Sequence, residues 1–236
     1  MKPHLRKTWC IGTINAAFIA QMERLLWLYS LPLDAHFPVV CFDERPCFLI
    51  GERVEALALK AGSPRKEHYE YAKHGSCVLL AAIEPLTGRR LAQVFDHRCK
   101  REYALFLREL AAQFPAAVKI RLVQNNLNTH DPSAFYETFP AEEAFALSRR
   151  FEFYQTPKKG SWLNMIEIEF SALARQCLSR RIATKAELER EVLALVKERA
   201  EKAIKIEWQF SVASARTKFN RHYEAVQAEN VQYKRT

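Results

Sequence analysis

The chain has 236 residues, which suits one large domain, and 49% of them are hydrophobic, which supplies a sizeable core and excludes a disordered polymer. Lysine and arginine outnumber aspartate and glutamate by 36 to 27, a formal charge of +9 with a pI near 9.3, and such a balance suits a polyanionic partner, most simply nucleic acid. No apolar run reaches the roughly eighteen residues of a membrane span. The opening Met1-Lys2-Pro3-His4-Leu5-Arg6-Lys7 leads into no signal-type block, so a soluble, cytoplasmic protein is expected.

In chain order, residues 1–34 read as a basic, aromatic lead-in with one helix over 16–29, whose Phe18, Met22, Leu25, Leu26 and Tyr29 recur at helical spacing. Leu31-Pro32-Leu33-Asp34-Ala35-His36 breaks it. Phe37 to Phe42 is a continuous apolar run of the buried-strand type that ends at Asp43, and Cys47 to Ile50 is expected as a separate partner strand. The segment 51–71 is less regular, with 62–66 an exposed basic loop. Strands over 76–83 and 90–95 flank the turn Glu84-Pro85-Leu86-Thr87-Gly88. An amphipathic helix over 100–114 follows. A buried strand over 118–123 then runs into Gln124-Asn125-Asn126-Leu127-Asn128-Thr129-His130, and Asp131-Pro132 opens a helix with Asp131 as its N-cap. Phe151 to Tyr154 is the last strand; helices follow from Leu163 and over 185–202, and the end from Trp208 is mixed and basic.

This order describes an α/β fold with a mixed central sheet flanked by helices, its polar candidate residues placed near the C-terminal ends of strands. Residues 35–223 read as the main domain and 224–236 as a basic tail. The six cysteines are scattered, without a C-x-x-C pair, and are expected to be reduced and mostly buried.

The helix after Gly160 carries an apolar stripe of Leu163, Ile166, Phe170, Leu173, Ala174, Cys177 and Leu178. Glu167 lies at the edge of that stripe. Glu169 is about 200° further round and is expected to face water. A carboxylate at the lip of an apolar face needs a partner, which makes Glu167 a candidate metal ligand. If Asn164 is the N-cap, Glu167 sits at N3 of a capping box instead, and the residues alone leave both readings open.

Asp43 after the first strand, Asn125 after a later one and Glu167 on a helix form a constellation. Enzymes that move phosphodiester bonds with two divalent ions about 3.5–4 Å apart need carboxylates converging from separate elements. Here the middle position is an amide.

Three motifs carry a family resemblance: Val39-Val40-Cys41-Phe42-Asp43-Glu44, Asn126-Leu127-Asn128-Thr129-His130, and the run from Thr156 through Pro157-Lys158-Lys159-Gly160-Ser161-Trp162-Leu163-Asn164 to Glu167. They resemble the catalytic-domain signatures of transposases of the insertion sequence 630 family, relatives of the mariner elements. The similarity extends through 68–71, 84–88, 175–181 and 208–210, and so covers about 5–223. It implies a ribonuclease-H-like fold, a DDE-type triad, two magnesium or manganese ions, and DNA transposition into TA target sites, with a homodimer as in mariner-like elements. Asp43 then matches the first acid and Glu167 the third, while the second falls on Asn125. An amide is neutral and lacks the second anionic oxygen, so weaker metal binding and severe loss of strand cleavage are expected. The family also carries an N-terminal helix-turn-helix region, which this chain is expected to lack.

Around these positions, Lys158 and Lys159 stand on the loop before the Glu167 helix as candidate phosphate contacts, with Arg175, Arg180 and Arg181 further along it, where they also complement the helix dipole. Glu44 is either a supporting acid or an exposed turn residue. His130 either orients a ligand or ties down the asparagine-rich turn, in which Asn126 and Asn128 are expected as turn formers through side-chain bonds. Trp162 either stacks on an unpaired base or, the reading preferred, anchors the helix start through apolar contact. The expected activity is metal-dependent DNA strand cleavage and transfer, impaired by Asn125. The rival is a non-catalytic DNA- or transposase-binding protein.

Overall fold

Strands of branched and aromatic residues pair into one mixed sheet, of order β3-β2-β1-β4-β5, in the computed structural model, which describes residues 13–54, 62 and 68–233. The strands are β1 (Val39–Glu52), β2 (Tyr71–Glu84), β3 (Arg89–Phe95), β4 (Ile120–Gln124) and β5 (Phe151–Gln155). The first three are antiparallel, whereas β4 and β5 run parallel to β1. Parallel neighbours need crossovers, and helices supply them. These are α2 (Lys100–Ala112) ahead of β4, then α3 (Ser133–Thr138) and α4 (Ala141–Arg150) ahead of β5. Helix α1 (Ala16–Tyr29) precedes the sheet, and α5 (Ile166–Gln176), α6 (Lys185–Glu201), α7 (Val212–Lys218) and α8 (Asn220–Val226) follow it. This is the ribonuclease-H-like arrangement expected from the sequence.

Alternation along β1 splits the interior into two cores. Cys41 faces a core built with α1, α5, α6, α7 and α8, while the next residue, Phe42, faces one built with α2, α3 and α4. Helix α1 has the bounds its spacing predicts and is part of the first core: Phe18, Met22, Leu25, Leu26 and Leu28 are buried there. The Tyr29 hydroxyl donates to the Leu163 carbonyl at 2.9 Å, which fixes the turn ahead of α5. Cys41, Cys47, Cys77 and Cys177 are buried thiols and Cys99 is exposed.

Two expectations are corrected. The runs Phe37–Phe42 and Cys47–Ile50 are not separate strands. From Val39 on they belong to one strand of 14 residues that pairs with β2 from Cys41 opposite Ile83 to Glu52 opposite Tyr71, with Asp43 inside it. Strand β4 pairs with β1 only over Val39 to Cys41, so β1 is an edge on that side from Phe42 onward. An edge tolerates Pro46, which has no N–H to give. The basic stretch 63–66 lies outside the described residues.

The second correction concerns Glu169, which is buried rather than facing water. Helix α5 is covered on one flank by the sheet and on the other by α6, so a helical wheel with a single buried stripe misplaces it. Arg90 of β3 donates to both Glu169 oxygens at 2.9 and 3.0 Å, and Arg199 of α6 does so at 3.1 and 2.9 Å. Burial pushes this carboxyl up, but the two guanidinium groups outweigh it and hold it below the usual carboxylate range. Arg90 also donates to the carbonyls of Gly88 and Ile204. Gly88 has φ +80, and a Cβ there would lie 2.7 Å from the Ile204 oxygen, so the β2–β3 turn needs its glycine.

Glu169→Ala strands the buried Arg90 and the half-buried Arg199 and should cost about 3–5 kcal/mol in urea unfolding at neutral pH. Because the folded pKa is depressed, the contribution is present above the unfolded carboxylate value and fades as pH falls through the folded one. A loss under about 1 kcal/mol would show that water replaces the carboxylate.

Candidate active site

Register brings the first two candidate residues together. Cys41 of β1 pairs with Val123 of parallel β4, and two places further on Asp43 comes opposite Asn125, which follows β4 directly. Asp43 is 5% exposed. Its Oδ1 accepts from the Glu44 backbone N–H and from Asn125 Nδ2, both at 2.8 Å. Asn125 Oδ1 is buried and has no hydrogen-bond partner.

Glu167, in the first turn of α5, is brought to this point by a neighbour. Asn164 Nδ2 donates to the Phe42 carbonyl at 2.8 Å and so ties the start of α5 to β1, one residue before Asp43. The local geometry also removes the capping-box reading of the segment. Met165 occupies the N-cap without a side-chain bond, and the Glu167 N–H reaches the Asn164 backbone oxygen at 3.2 Å, so no capping box forms. Glu167 reaches solvent, yet the walls around it desolvate its carboxyl enough to raise its pKa, against the pull of Arg45. The Asp43 carboxyl is pushed up to about 6, first by burial and further by the charges of Glu167 and Glu44; the Glu44 N–H and His130 oppose the rise.

A polar layer behind Asp43 holds the loop. Gln124 Oε1 accepts from the Tyr103 hydroxyl at 2.7 Å, and its Nε2 donates to the His130 carbonyl at 3.0 Å, which satisfies a polar residue at a buried strand end. The His130 ring lies between Tyr103 (4.9 Å) and Phe42 (5.2 Å). Its Nε2 is 3.5 Å from Glu44, whose buried carboxylate also pairs with Arg98 at 3.0 Å. Glu44 and His130 therefore support the loop that carries Asn125. Asn126 and Asn128 are exposed, and the backbone bond from His130 to Leu127 closes the turn at 2.9 Å without a side-chain bond from either asparagine. The contacts of Arg98, Tyr103 and Asn164 have no signature in the sequence, because each joins elements far apart in the chain.

Among the described residues, no three histidine, cysteine, aspartate or glutamate side chains are placed to hold a metal ion. The third donor here is an amide. Asp43, Glu167 and the unpartnered Asn125 oxygen form a set of hard oxygens that fits one divalent cation of the magnesium class, with one negative charge fewer than three acids would give.

The five basic candidates divide into two groups. Lys158, Lys159 and Arg175 are exposed, with no carboxylate partner among the described residues. Lys159 takes φ 64 in the tight turn that the Gly160 N–H closes on Pro157 O. Arg180 is paired with Glu187 (2.7 Å) and Glu191 (3.3 Å), and Arg181 with Glu52 (2.7 Å) and the His68 carbonyl. Trp162 packs against Phe210 and Phe219 at the start of α5, as an anchor.

Residues 38–189 match the family described as DDE superfamily endonuclease. The chain superposes on the Mos1 mariner paired end complex with Mn at a TM-score of 0.53, with 14% identity over 86% of this chain and 67% of that one. For the Mos1 paired end complex with Mg the TM-score is 0.51, with 13% identity over 98% of this chain and 67% of that one. The chain thus spans about two thirds of those proteins, and at such identity the likeness is one of fold. No curated protein matches it. No helix among the described residues is long and apolar enough to cross a membrane.

Since the folded pKa of Asp43 lies above the ordinary 3.8, its ionised form opposes folding. The penalty is absent below about pH 4 and complete above about pH 7. In metal-free buffer Asp43→Asn should therefore stabilise the protein by about 1–3 kcal/mol at neutral pH and by nothing near pH 4. Thermal unfolding at the two pH values checks this, and an equal shift at both would refute burial of charge as the cause.

Proposed function

This chain belongs to the DDE superfamily endonucleases, and from that premise we propose that it is the catalytic core of a mariner-like DNA transposase, of the insertion sequence 630 kind, with its chemistry impaired at Asn125. The observation that carries this reading is the convergence of Asp43, Asn125 and Glu167 from β1, the end of β4 and the start of α5. The substrate is DNA, and the reaction is cleavage of a phosphodiester followed by attack of a 3′-hydroxyl on a second strand. The Mos1 paired end complexes with Mn and with Mg support a divalent ion as the cofactor. When bound, magnesium or manganese supplies Lewis-acid polarisation of the phosphate and a more acidic attacking water.

The chain's own residues have separable tasks in this reading. Asp43 and Glu167 would provide anionic oxygens to the cation, and Asn125 a neutral one. Gln124, Tyr103, His130 and Glu44 hold the Asn125 loop in register with β1. Lys158, Lys159 and Arg175 give DNA affinity without sequence choice. Loss of one of three negative charges weakens cation binding and, with it, the stabilisation of charge on the reacting phosphate.

One observation favours a second reading, a DNA- or transposase-binding protein without catalysis. The Asn125 amide donates to Asp43 Oδ1, so the two side chains bond directly to each other. Two carboxylates at that distance would repel and would need a cation between them.

Asn125→Asp should raise manganese-dependent nicking of supercoiled DNA by on the order of 100-fold, and Asp43→Asn in that background should abolish it. Strong nicking by the unaltered chain, lost on Asp43→Asn, overturns the impairment. Absence of nicking by every variant, with DNA binding intact, favours the second reading.

A further inference from the structure

An open cleft of about 410 Å³ begins two residues along β1 from Asp43, between that strand's edge and the chain after α5, lined by Arg45, Cys47, Leu178, Ser179, Arg180 and Arg181 among others. The 178–182 segment is held to β1 by the Ile50 N–H, which donates to the Ile182 carbonyl at 2.8 Å. Three guanidinium groups therefore border one cleft, and they are not equivalent. Arg180 and Arg181 are already matched to Glu187, Glu191 and Glu52. Arg45 is half-buried and makes no side-chain hydrogen bond or ion pair with any described residue. By alternation it shares a face of β1 with Asp43, two residues away, and its charge is felt at Glu167.

We propose that Arg45 is a phosphate-positioning residue: it takes a DNA backbone phosphate adjacent to the scissile one and leads the strand into the cleft between β1 and residues 178–182. The inference rests on the reading of this site as a DNA-cutting one, and adds where the strand leaves it. A guanidinium at the wall of a groove, hydrogen-bonded to no carboxylate, keeps its donors for an external anion. Its planar fork suits two oxygens of a phosphodiester. Arg180, whose charge is already matched by Glu187 and Glu191 of α6, attracts a further anion less and serves to hold the far wall.

Counterion release makes the proposal measurable, because each phosphate contact contributes about 0.9 to the slope of log affinity against log salt on duplex DNA. The experiment is an anisotropy titration of a labelled duplex across a salt series, in chelator so that cleavage does not intervene, with the full chain, Arg45→Gln, Arg45→Lys and Arg180→Gln. Arg45→Gln should flatten the slope by about 1, Arg45→Lys should keep it, and Arg180→Gln should leave it unaltered. If Arg45 only positions Glu167, Arg45→Gln shifts thermal stability while the slope stays, and the inference fails with the nuclease reading intact. A slope that falls equally in Arg45→Gln and Arg180→Gln also overturns it, since the cleft would then be a diffuse basic surface. If the full chain binds no DNA at any salt, both readings fall together.

Discussion

Strand β1 continues long after its parallel neighbour stops, and the site depends on that mismatch. Over Val39 to Cys41 it is central, with β2 on one side and β4 on the other. From Phe42 onward only β2 remains beside it. The ladder on the β2 side keeps the backbone rigid, while loss of β4 leaves room for the Asn125 loop to come opposite Asp43. Farther along, the same free edge admits Pro46 and forms one wall of the Arg45 cleft. A β4 longer by a few residues would fill the space in which the candidate chemistry is placed.

What holds α5 against this edge is a small number of bonds to specific atoms. Asn164 reaches the Phe42 carbonyl at one end, and Glu169 receives Arg90 and Arg199 further along. The buried triad joins β3, α5 and α6, and its stabilisation comes from hydrogen-bond geometry more than from charge alone, since taking ions out of water is costly. Glu167 and Glu169 thus have opposite environments two residues apart. One is matched by two guanidinium groups and held low; the other is unmatched by hydrogen bonds and raised. A pair of carboxylates with pKa values pushed apart in this way separates a structural acid from a reactive candidate.

The amide at 125 changes the electrostatics of the centre. Burial raises the Asp43 carboxyl, and repulsion from Glu167 adds to the rise. A third carboxylate in the place of Asn125 would add to that repulsion in a cation-free site, whereas the amide relieves it by donating a hydrogen bond to Asp43. The same amide leaves the centre with one negative charge fewer than three acids would give.

Much of the architecture was legible in the residues. Helical spacing marked α1 to its observed bounds, apolar runs located the strands, Pro85 and Gly88 marked the β2–β3 hairpin, and three ordered motifs pointed to the family. All of these are local signals, set by periods of two or 3.6 residues and by turn chemistry within a few positions. The sequence by itself therefore determined the fold class and named Asp43, Asn125 and Glu167 as candidates. Only the tertiary structure decided that Asp43 lies inside a strand, that Asn125 bonds to it, that Glu169 is buried, and which arginines retain free donors. Each of those depends on groups far apart in the chain: 82 residues separate Asp43 from its amide, and 79 separate Arg90 from Glu169. A periodic pattern states which face of an element is covered, but not by how many neighbours or with what charge, and at this site those neighbours set the chemistry.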